Sequence, residues 1–354
     1  MSELQRDIVA RILRESPIDL GGEVAEQREL FRELIGAEPV PEDVTVGPAV
    51  LGGVPAVSVS VGPVSVGPVQ VGPVSVGPVS VRSLPTGSVP ADSVLAGSVP
   101  AGPDPAGSVP ADSGPAGPDP VADTADGTVL YFHGGCFAVG SAESSIGLAG
   151  HLARAAGVRV LSVDYRLAPE HPYPAALQDA LAAYRALVRE QGGAGRIAVV
   201  GESAGGNLAA ALLLAVREEP DLPQPACAVL LSPWADLTVP DLPDDPGLDP
   251  VITARALRTR ARDYLQGADP HDGLASPVHA DLTGLPPLLI QAGSAEYLRD
   301  DAIRLAARAA AHHVQVTLDV TPHVPHVFQA FASILDEAAE ALTRAAAFLH
   351  THLR

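Results

Sequence analysis

One short segment limits the possible folds of this chain more than any other part of its sequence. Residues 196–200, of which the last four are apolar, predict a buried strand, and residues 204–217 predict an alanine-rich helix. The turn that joins them is Gly201-Glu-Ser-Ala-Gly205. A strand that turns this sharply into a helix needs glycine where a side chain would clash, and the turn lifts its serine above the sheet. The segment therefore predicts an α/β fold with Ser203 as a nucleophile.

The rest of the second half of the chain continues the alternation of strand and helix. Strands are predicted at 128–133, 158–163, 196–200, 226–231, 287–291 and 314–320, and helices at 142–156, 175–191, 204–217, 299–313 and 326–349. Helices of this length between strands are typical of connections that bring the chain back to a parallel sheet. We therefore expect a mostly parallel central sheet that is flanked by helices on both faces.

The first 126 residues differ in composition from the alternating region. Residues 1–45 contain two apolar stripes at helical spacing, which predict helices that form a small lid together with residues near 236–270. Residues 62–126 repeat Val-Gly-Pro-Val-Ser and then Gly-Ser-Val-Pro-Ala, where regular proline forbids helix and removes sheet donors. We predict a disordered low-complexity insert at 62–126, and a catalytic domain made of 46–61 and 127–354.

The charge and cysteine content argue against several classes of partner. The chain has 42 acidic and 22 basic side chains, a net charge of −20, so nucleic acid and anionic membrane surfaces should repel it. No run of 18 apolar residues predicts a membrane span, and the N-terminus lacks the apolar core of a signal peptide, so we expect a cytoplasmic protein. Cys136 and Cys227 give neither a disulfide scaffold nor metal-ligand spacing. We expect no metal and no cofactor.

A second glycine-rich segment follows the first strand of the alternating region. It reads Tyr131-Phe-His-Gly-Gly-Cys-Phe137. Acyl transfer to a serine produces a tetrahedral oxyanion, which needs preorganised N–H donors, and glycine lets the backbone approach that oxygen closely. Backbone N–H groups of Gly134, Gly135 and Cys136, with that of Ala204 after the nucleophile, therefore predict an oxyanion hole.

Together these motifs resemble the hormone-sensitive-lipase-like family of α/β-hydrolase-fold carboxylesterases. The matching segments are His133–Cys136, Asp164–Ala175, Gly201–Asn207 and Ser232–Trp234. The resemblance covers roughly residues 1–61 and 127–354, so the repeats lie outside it. It implies an α/β-hydrolase fold with a small helical lid and a serine esterase activity. It also implies that the segment around Asp164 and Arg166 holds the oxyanion loop, and that His133 braces this loop.

One residue departs from the family pattern in the oxyanion loop. The family usually reads His-Gly-Gly-Gly, and this chain has Cys136 in place of the third glycine. The family donors are the N–H groups of the second and third glycine, which match Gly135 and Cys136. A cysteine keeps its N–H, so the oxyanion hole can persist, although the backbone geometry and the room for the acyl group change. Cys136 has no adjacent base that would make it a second nucleophile.

The serine needs a base to take its proton, and 11 histidines compete for this role. In this fold the triad follows the order nucleophile, acid, histidine, so the base should come near the last strand. That order leaves His312, His313, His323 and His326. His326-Val-Phe matches the His-x-Phe of the family, so we choose His326 and interpret His323 as a polar loop residue.

The acid should follow the preceding strand, at residues 294–301. Glu296 occupies the position where the family usually has aspartate, and a glutamate can orient a histidine and stabilise the imidazolium. Asp300 is the alternative, although an acid at the start of a helix also stabilises the helix dipole. We choose Glu296.

These residues predict a serine hydrolase that cleaves small-molecule carboxylic esters, with short- to medium-chain acyl groups, through an acyl-enzyme. The sequence leaves two other classes of function open. One is a non-catalytic small-molecule receptor on the same fold, which the presence of His326 disfavours. The other is a protein that self-associates through residues 62–126, a property that could coexist with catalysis. Whether the chain forms a homo-oligomer also stays open.

Overall fold

A single central sheet organises the protein. The computed structural model describes residues 2–62, 69–70, 127–240 and 248–353. The strands are β1 Val44–Leu51, β2 Val54–Val61, β3 Val69–Gln70, β4 Thr128–Phe132, β5 Arg159–Val163, β6 Ile197–Glu202, β7 Cys227–Leu231, β8 Leu288–Gly293 and β9 Val316–Thr321. Their order in the sheet is β3-β1-β2-β5-β4-β6-β7-β8-β9. Strand β2 runs antiparallel to both neighbours, and β5, β4, β6, β7, β8 and β9 are mutually parallel.

Helices cover both faces of this sheet. They are α1 Ser2–Glu15, α2 Val24–Ile35, α3 Ile146–Ala156, α4 Ala175–Gln191, α5 Ala204–Arg217, α6 Ala254–Leu265, α7 Arg299–Ala311 and α8 Asp336–His352. Short 3₁₀ turns occur at Pro277–His279 and Phe328–Phe331. Buried side chains of α3 and α8 form the core on one face, and those of α4, α5 and α7 form it on the other. The predicted α/β-hydrolase fold is confirmed.

Strand β6 shows why the apolar runs of the sequence form the middle of the sheet. Ile197 and Val199 belong to the core on the α4 and α5 side, whereas Ala198 and Val200 belong to the core on the α3 and α8 side. All four side chains are fully buried. Successive side chains of a strand point to opposite faces, so a strand with helices on both faces needs an unbroken apolar sequence. Each such valine or isoleucine stabilises the fold by about 1.5–3 kcal/mol.

Two of the predicted helices begin later than expected. The helix predicted at 326–349 starts at Asp336, because Val327 takes a left-handed conformation with φ of 47° and a 3₁₀ turn follows it. The helix predicted at 142–156 starts at Ile146. Ser141 and Ser144 accept hydrogen bonds from each other's backbone N–H groups with their hydroxyls, which stabilises a turn in place of the first helical turn.

Strand β1 begins at Val44 and so overlaps the region 1–45, where only helices were expected, by two residues. The predicted insert at 62–126 lies outside the described residues, except for Gly62 and the two residues of β3. Strand β3 pairs with Ala49 and Val50 of β1. No helix in the described ranges is long and apolar enough to cross a membrane.

Candidate active site

Ser203 lies at the turn between β6 and α5, as the sequence predicts. Its φ of 55° and ψ of −119° are strained values for a residue with a side chain, and they persist only where neighbouring groups hold the backbone. Its N–H donates to the carbonyl oxygen of Leu231 at 2.8 Å, which joins the turn to the end of β7. A Cβ at Gly201 would lie 2.1 Å from the carbonyl oxygen of Gly205, and a Cβ at Gly205 would lie 2.1 Å from that of Phe132. The sharp turn therefore requires both glycines.

The segment at the end of β4 packs against this turn and lines the same pocket as Ser203. The N–H of Gly134 donates to the Glu202 carboxylate at 3.2 Å, so this group is already bonded within the protein. This bond occupies the N–H of Gly134 and so disfavours the predicted role of Gly134 as an oxyanion donor. Gly135 and Cys136 line the pocket, and both have left-handed backbones, with φ of 110° and 53°.

Glu202, the residue before the nucleophile, connects the oxyanion loop to the rest of the site. Its buried carboxylate accepts hydrogen bonds from Gly134 N–H and, at 3.0 Å, from the hydroxyl of Ser145 at the start of α3. Burial raises the pKa of Glu202, and the hydrogen bonds oppose that shift. No sequence signal gave Glu202 a role of its own, although its place inside the Gly-x-Ser-x-Gly motif puts it beside the nucleophile.

His326 and Glu296 lie side by side, in the order predicted for base and acid. His326 is 8% exposed and lines the pocket with Ser203, while Glu296 is 1% exposed. The Nδ1 atom of His326 is 3.6 Å from Oε2 of Glu296, longer than a formed hydrogen bond. Catalytic hydrogen bonds are often long in a free enzyme and shorten in its complexes. The arrangement can thus orient the imidazole with its other nitrogen available to the pocket.

The carboxylate of Glu296 is itself held by two donors. Its Oε2 atom accepts a hydrogen bond from the hydroxyl of Ser232 at 2.8 Å and from the N–H of Gly293 at 3.2 Å. Burial raises the pKa of Glu296, while His326 and the Ser232 hydroxyl lower it. These contacts keep the carboxylate in place behind the imidazole.

Three carboxylates raise the pKa of His326. Burial alone lowers the pKa of His326, but Glu296, Asp249 and Glu202 together raise it above its usual value. Asp249 is buried before α6, where its carboxylate accepts the N–H groups of Val251, Ile252 and Tyr297. No motif in the sequence marked Asp249. An imidazolium formed during proton transfer would be stabilised by these carboxylates.

The alternative acid and base have no such surroundings. The side chain of Asp300 is 62% exposed and accepts a hydrogen bond from Arg299 at 2.8 Å, in the first turn of α7. His323 lies on an exposed turn, where its backbone N–H donates to the hydroxyl of Ser294 at 2.7 Å. The geometry therefore favours Glu296 and His326.

His133 and Cys136 are both buried and uncharged. The His133 ring stacks on Tyr165 with centroids 4.2 Å apart, and its Nδ1 is 2.7 Å from the carbonyl oxygen of Gly134. Burial lowers the pKa of His133 to about 4, so the ring is neutral near pH 7. Burial raises the pKa of the Cys136 thiol to about 12, which makes it a poor nucleophile.

The segment after β5 contacts the oxyanion loop at several points. The Tyr165 hydroxyl donates to the His133 carbonyl at 2.7 Å, and Ala168 N–H donates to the Phe137 carbonyl at 2.8 Å. The Asp164 carboxylate accepts the N–H of Ala142 at 3.1 Å. These bonds fit the bracing role that the resemblance implied for this segment.

The pocket above Ser203 has mostly apolar walls. Side chains from α1, α2 and their connection form one wall, and residues before α6 and after His326 form the other. The apolar lining residues are Leu13, Ile18, Leu20, Phe31, Leu34, Ile35, Val251, Ile252, Val327, Ala330 and Phe331. Across the described ranges, no group of three or more His, Cys, Asp or Glu side chains could hold a metal ion. The pocket thus suits an uncharged, largely apolar ligand.

Several enzymes of known sequence or structure are similar to this chain. Residues 129–330 match a family model described as the α/β-hydrolase fold. An acetyl-hydrolase of Streptomyces hygroscopicus is 45% identical over 226 residues, which are 63% of this chain and 75% of that protein. An ethyl acetate hydrolase of Pseudomonas putida is 34% identical over 237 residues, or 65% of this chain and 74% of its own length. A solved esterase from the bacterial hormone-sensitive lipase family has a TM-score of 0.77 and 32% identity, and the match covers 99% of each chain.

Proposed function

We propose that Ser203, His326 and Glu296 are the catalytic triad of this chain, which belongs to the α/β-hydrolase fold family and is an esterase. One observation carries the assignment. Ser203 and His326 line the same pocket, and Glu296 lies 3.6 Å behind the imidazole on the side away from the ligand space. The chain order and the geometry agree with the requirements of a nucleophile, a base and an orienting acid.

Acylation follows from this arrangement. The Ser203 hydroxyl attacks the ester carbonyl while His326 takes its proton, and Glu296 stabilises the resulting imidazolium. The negative charge that develops on the carbonyl oxygen is stabilised by N–H groups of Gly135, Cys136 and Ala204. His326 then gives the proton to the alcohol oxygen, the carbon–oxygen bond breaks, and the alcohol leaves.

Deacylation uses the same groups in the reverse direction. His326 removes a proton from water, which attacks the carbonyl carbon of the acyl-enzyme. The second oxyanion is held by the same three N–H groups, and its collapse returns the proton to Ser203 and releases the acid. Each step therefore requires the neutral imidazole first and the imidazolium afterwards.

The substrate class that fits the pocket is a small, uncharged carboxylic ester with a short- to medium-chain acyl group. Most of the lining is apolar, and a charged substrate would lose its hydration against these walls. The named activities of the relatives, an acetyl-hydrolase and an ethyl acetate hydrolase, fit the short end of this range.

The N-terminal helices and α6 are proposed to act as the lid of this pocket. Phe31, Leu34 and Ile35 of α2 line it. The loop before α2 bonds α6, since the side chain of Arg255 donates to the Asp19 carboxylate at 2.6 Å. Residues 46–61 and 127–354 would then form the catalytic domain. The cytoplasmic location stays a prediction.

The direct test is the substitution Ser203→Ala. Loss of the nucleophile should reduce kcat for a short-chain p-nitrophenyl ester by about 10⁶-fold, or to the detection limit of the assay. Ser162→Ala is a matched control, because Ser162 is a fully buried serine in β5 whose hydroxyl makes no hydrogen bond in the described part of the chain. Turnover retained by a folded Ser203→Ala variant would exclude the assignment.

A further inference from the structure

We propose that Ser232 is a positioning residue that holds the acid and the base of the triad at a fixed separation through its single hydroxyl. The proposal rests on the proposed triad and adds a fourth residue to it. Ser232 directly follows β7, between the strand that leads to the nucleophile and the strand that leads to the acid. It therefore stands at the same edge of the sheet as the reacting groups.

The hydroxyl of Ser232 bonds the acid on one side. It donates to Oε2 of Glu296 at 2.8 Å, and this is the same carboxylate oxygen that faces Nδ1 of His326. A hydrogen bond donated to a carboxylate stabilises the ionised form and fixes the direction of the oxygen. The position of the oxygen that orients the base thus depends on this hydroxyl.

The same hydroxyl bonds the loop of the base on its other side. The N–H of Val327, the residue after His326, donates to Ser232 Oγ at 3.2 Å. Val327 has a left-handed backbone with φ of 47°, which a β-branched residue rarely adopts. A strained conformation of this kind persists only where its surroundings hold it. A serine hydroxyl can donate once and accept at the same time, so one oxygen can make both bonds.

A hydrogen bond also fixes the backbone of Ser232. Its N–H donates to the carbonyl oxygen of Gln291 in β8 at 2.6 Å, and its own φ is 47°. The residue is fully buried, so both bonds are shielded from bulk water. Ser232 therefore joins β8 and the acid that follows it to the loop of the base, which comes about 30 residues later in the sequence.

The charged groups around His326 determine how the loss of this hydroxyl should affect catalysis. The carboxylates that face it are Glu296 after β8, Asp249 before α6 and Glu202 at the end of β6. Removal of the Ser232 donor leaves Glu296 with less stabilisation of its charge, so the His326–Glu296 pair should hold its proton more tightly. A residue that only filled space would not produce this effect.

The experiment is Ser232→Ala, measured by kcat, KM and the pH dependence of kcat/KM with a short-chain p-nitrophenyl ester. We expect kcat to fall by about 10- to 100-fold, the usual effect of removing a group that orients a catalytic side chain, with KM changed less than about threefold. The acid limb of the pH profile should move to higher pH. An unchanged kcat and an unmoved acid limb would overturn the proposal.

Two further variants separate the hydroxyl from the fold. Ser276→Ala is the matched control, because Ser276 is also a fully buried serine that bonds no residue of the triad. Its hydroxyl accepts a hydrogen bond from the N–H of Leu237 at 2.8 Å. Its kcat and pH profile should equal those of the unmodified enzyme. Ser232→Gly removes the hydroxyl but relieves the left-handed backbone, so it should melt no lower than Ser232→Ala and be equally slow.

The outcomes distinguish this proposal from the proposed function. Recovery of kcat in Ser232→Gly would show that backbone conformation matters and the hydroxyl does not, which overturns the positioning role. A fall in kcat of the same size in Ser276→Ala would also overturn it. Activity retained by Ser203→Ala would contradict the triad itself, whatever the Ser232 variants show.

Discussion

At the scale of single residues, the acid of the proposed triad is the most informative position. Glu296 and Asp300 are four residues apart, yet one is buried behind the imidazole and the other is exposed beside Arg299. Sequence order could not separate them, because both follow β8. Burial separates them, since only an acid shielded from water strongly stabilises an imidazolium.

A pair of substitutions tests this assignment. Glu296→Gln should lower kcat by about 10³- to 10⁴-fold, because the amide neither fixes the productive tautomer of His326 nor stabilises its charge. Asp300→Asn should stay within about threefold of the unmodified enzyme, since its side chain is mostly exposed. Both are measured with the same p-nitrophenyl ester at saturating concentration. A loss of rate in the Asp300 variant alone would reverse the assignment.

Glu202 gives a second prediction at the residue scale, one of pH dependence. Its carboxylate contributes to the raised pKa of His326, so Glu202→Gln should lower that pKa and move the acid limb of kcat/KM to lower pH. The direction is opposite to that expected for Ser232→Ala. A glutamine oxygen can still accept the Gly134 N–H, so kcat at high pH should fall by only about tenfold. An acid limb that stays in place would show that Glu202 does not act on His326.

The residues that sequence reasoning found and missed differ in one physical respect. Ser203 and His326 belong to local motifs in which a strand end and a short sequence determine the role. Ser232 and Glu202 lie inside matched motifs, but their contacts, like those of Asp249, are with residues far away in sequence, and the motifs do not record these contacts. Ser232 follows a strand next to β8, so sheet order could have indicated it. Nothing comparable marked Asp249.

At the scale of elements, strands and connecting helices were the predictable part of the fold. Their periodicity reflects burial against the sheet, which is a property of each segment by itself. The start of α8 was mispredicted for the opposite reason. Residues 326–335 are apolar enough to predict a helix. However, His326 faces Glu296 and the N–H of Val327 bonds Ser232, and the chain turns at that point. Tertiary contacts override local propensity at that point.

The side chain of Arg28 attaches helix α2 to the oxyanion loop and to the segment after β5. The Arg28 side chain donates to the carbonyl oxygens of Ala138 at 2.9 Å and Ala168 at 3.1 Å, and it pairs with Glu170 at 2.7 Å. This ion pair holds the pKa of Glu170 down to about 2. Since α2 forms part of the pocket wall, Arg28 links the wall to the loop that carries two of the proposed oxyanion donors.

Arg28→Ala should therefore reduce kcat/KM by about tenfold, which corresponds to loss of the roughly 1.5 kcal/mol of a charge-assisted hydrogen bond. Most of the change should appear in KM for longer acyl chains, because the apolar wall shifts and the triad does not. Arg32→Ala is the control on the same helix, since Arg32 pairs with Glu29 at the exposed surface. Equal effects of the two substitutions would contradict a specific role for Arg28.

At the scale of the whole molecule, the described residues that flank the repeats lie at the end of the parallel strands opposite the site. Val59 of β2 pairs with Val160 of β5, and Thr128 of β4 pairs with Arg159 of the same strand. The end of β2 and the start of β4 thus lie two strand spacings apart, about 10 Å. Ser203 follows the other end of the parallel strands, after β6.

Replacement of residues 63–126 by a flexible linker of about eight residues should therefore preserve catalysis. Such a linker reaches roughly 26 Å, more than the distance that it must span. The change removes the two-residue strand β3 beside Ala49 and Val50, so some stability at that sheet edge should be lost. We expect kcat/KM within about threefold of the full chain, because every proposed site residue lies outside the replaced segment. A folded variant that lost most of its kcat/KM would show instead that the repeats contribute to the site, and the proposed division of the chain would then be wrong.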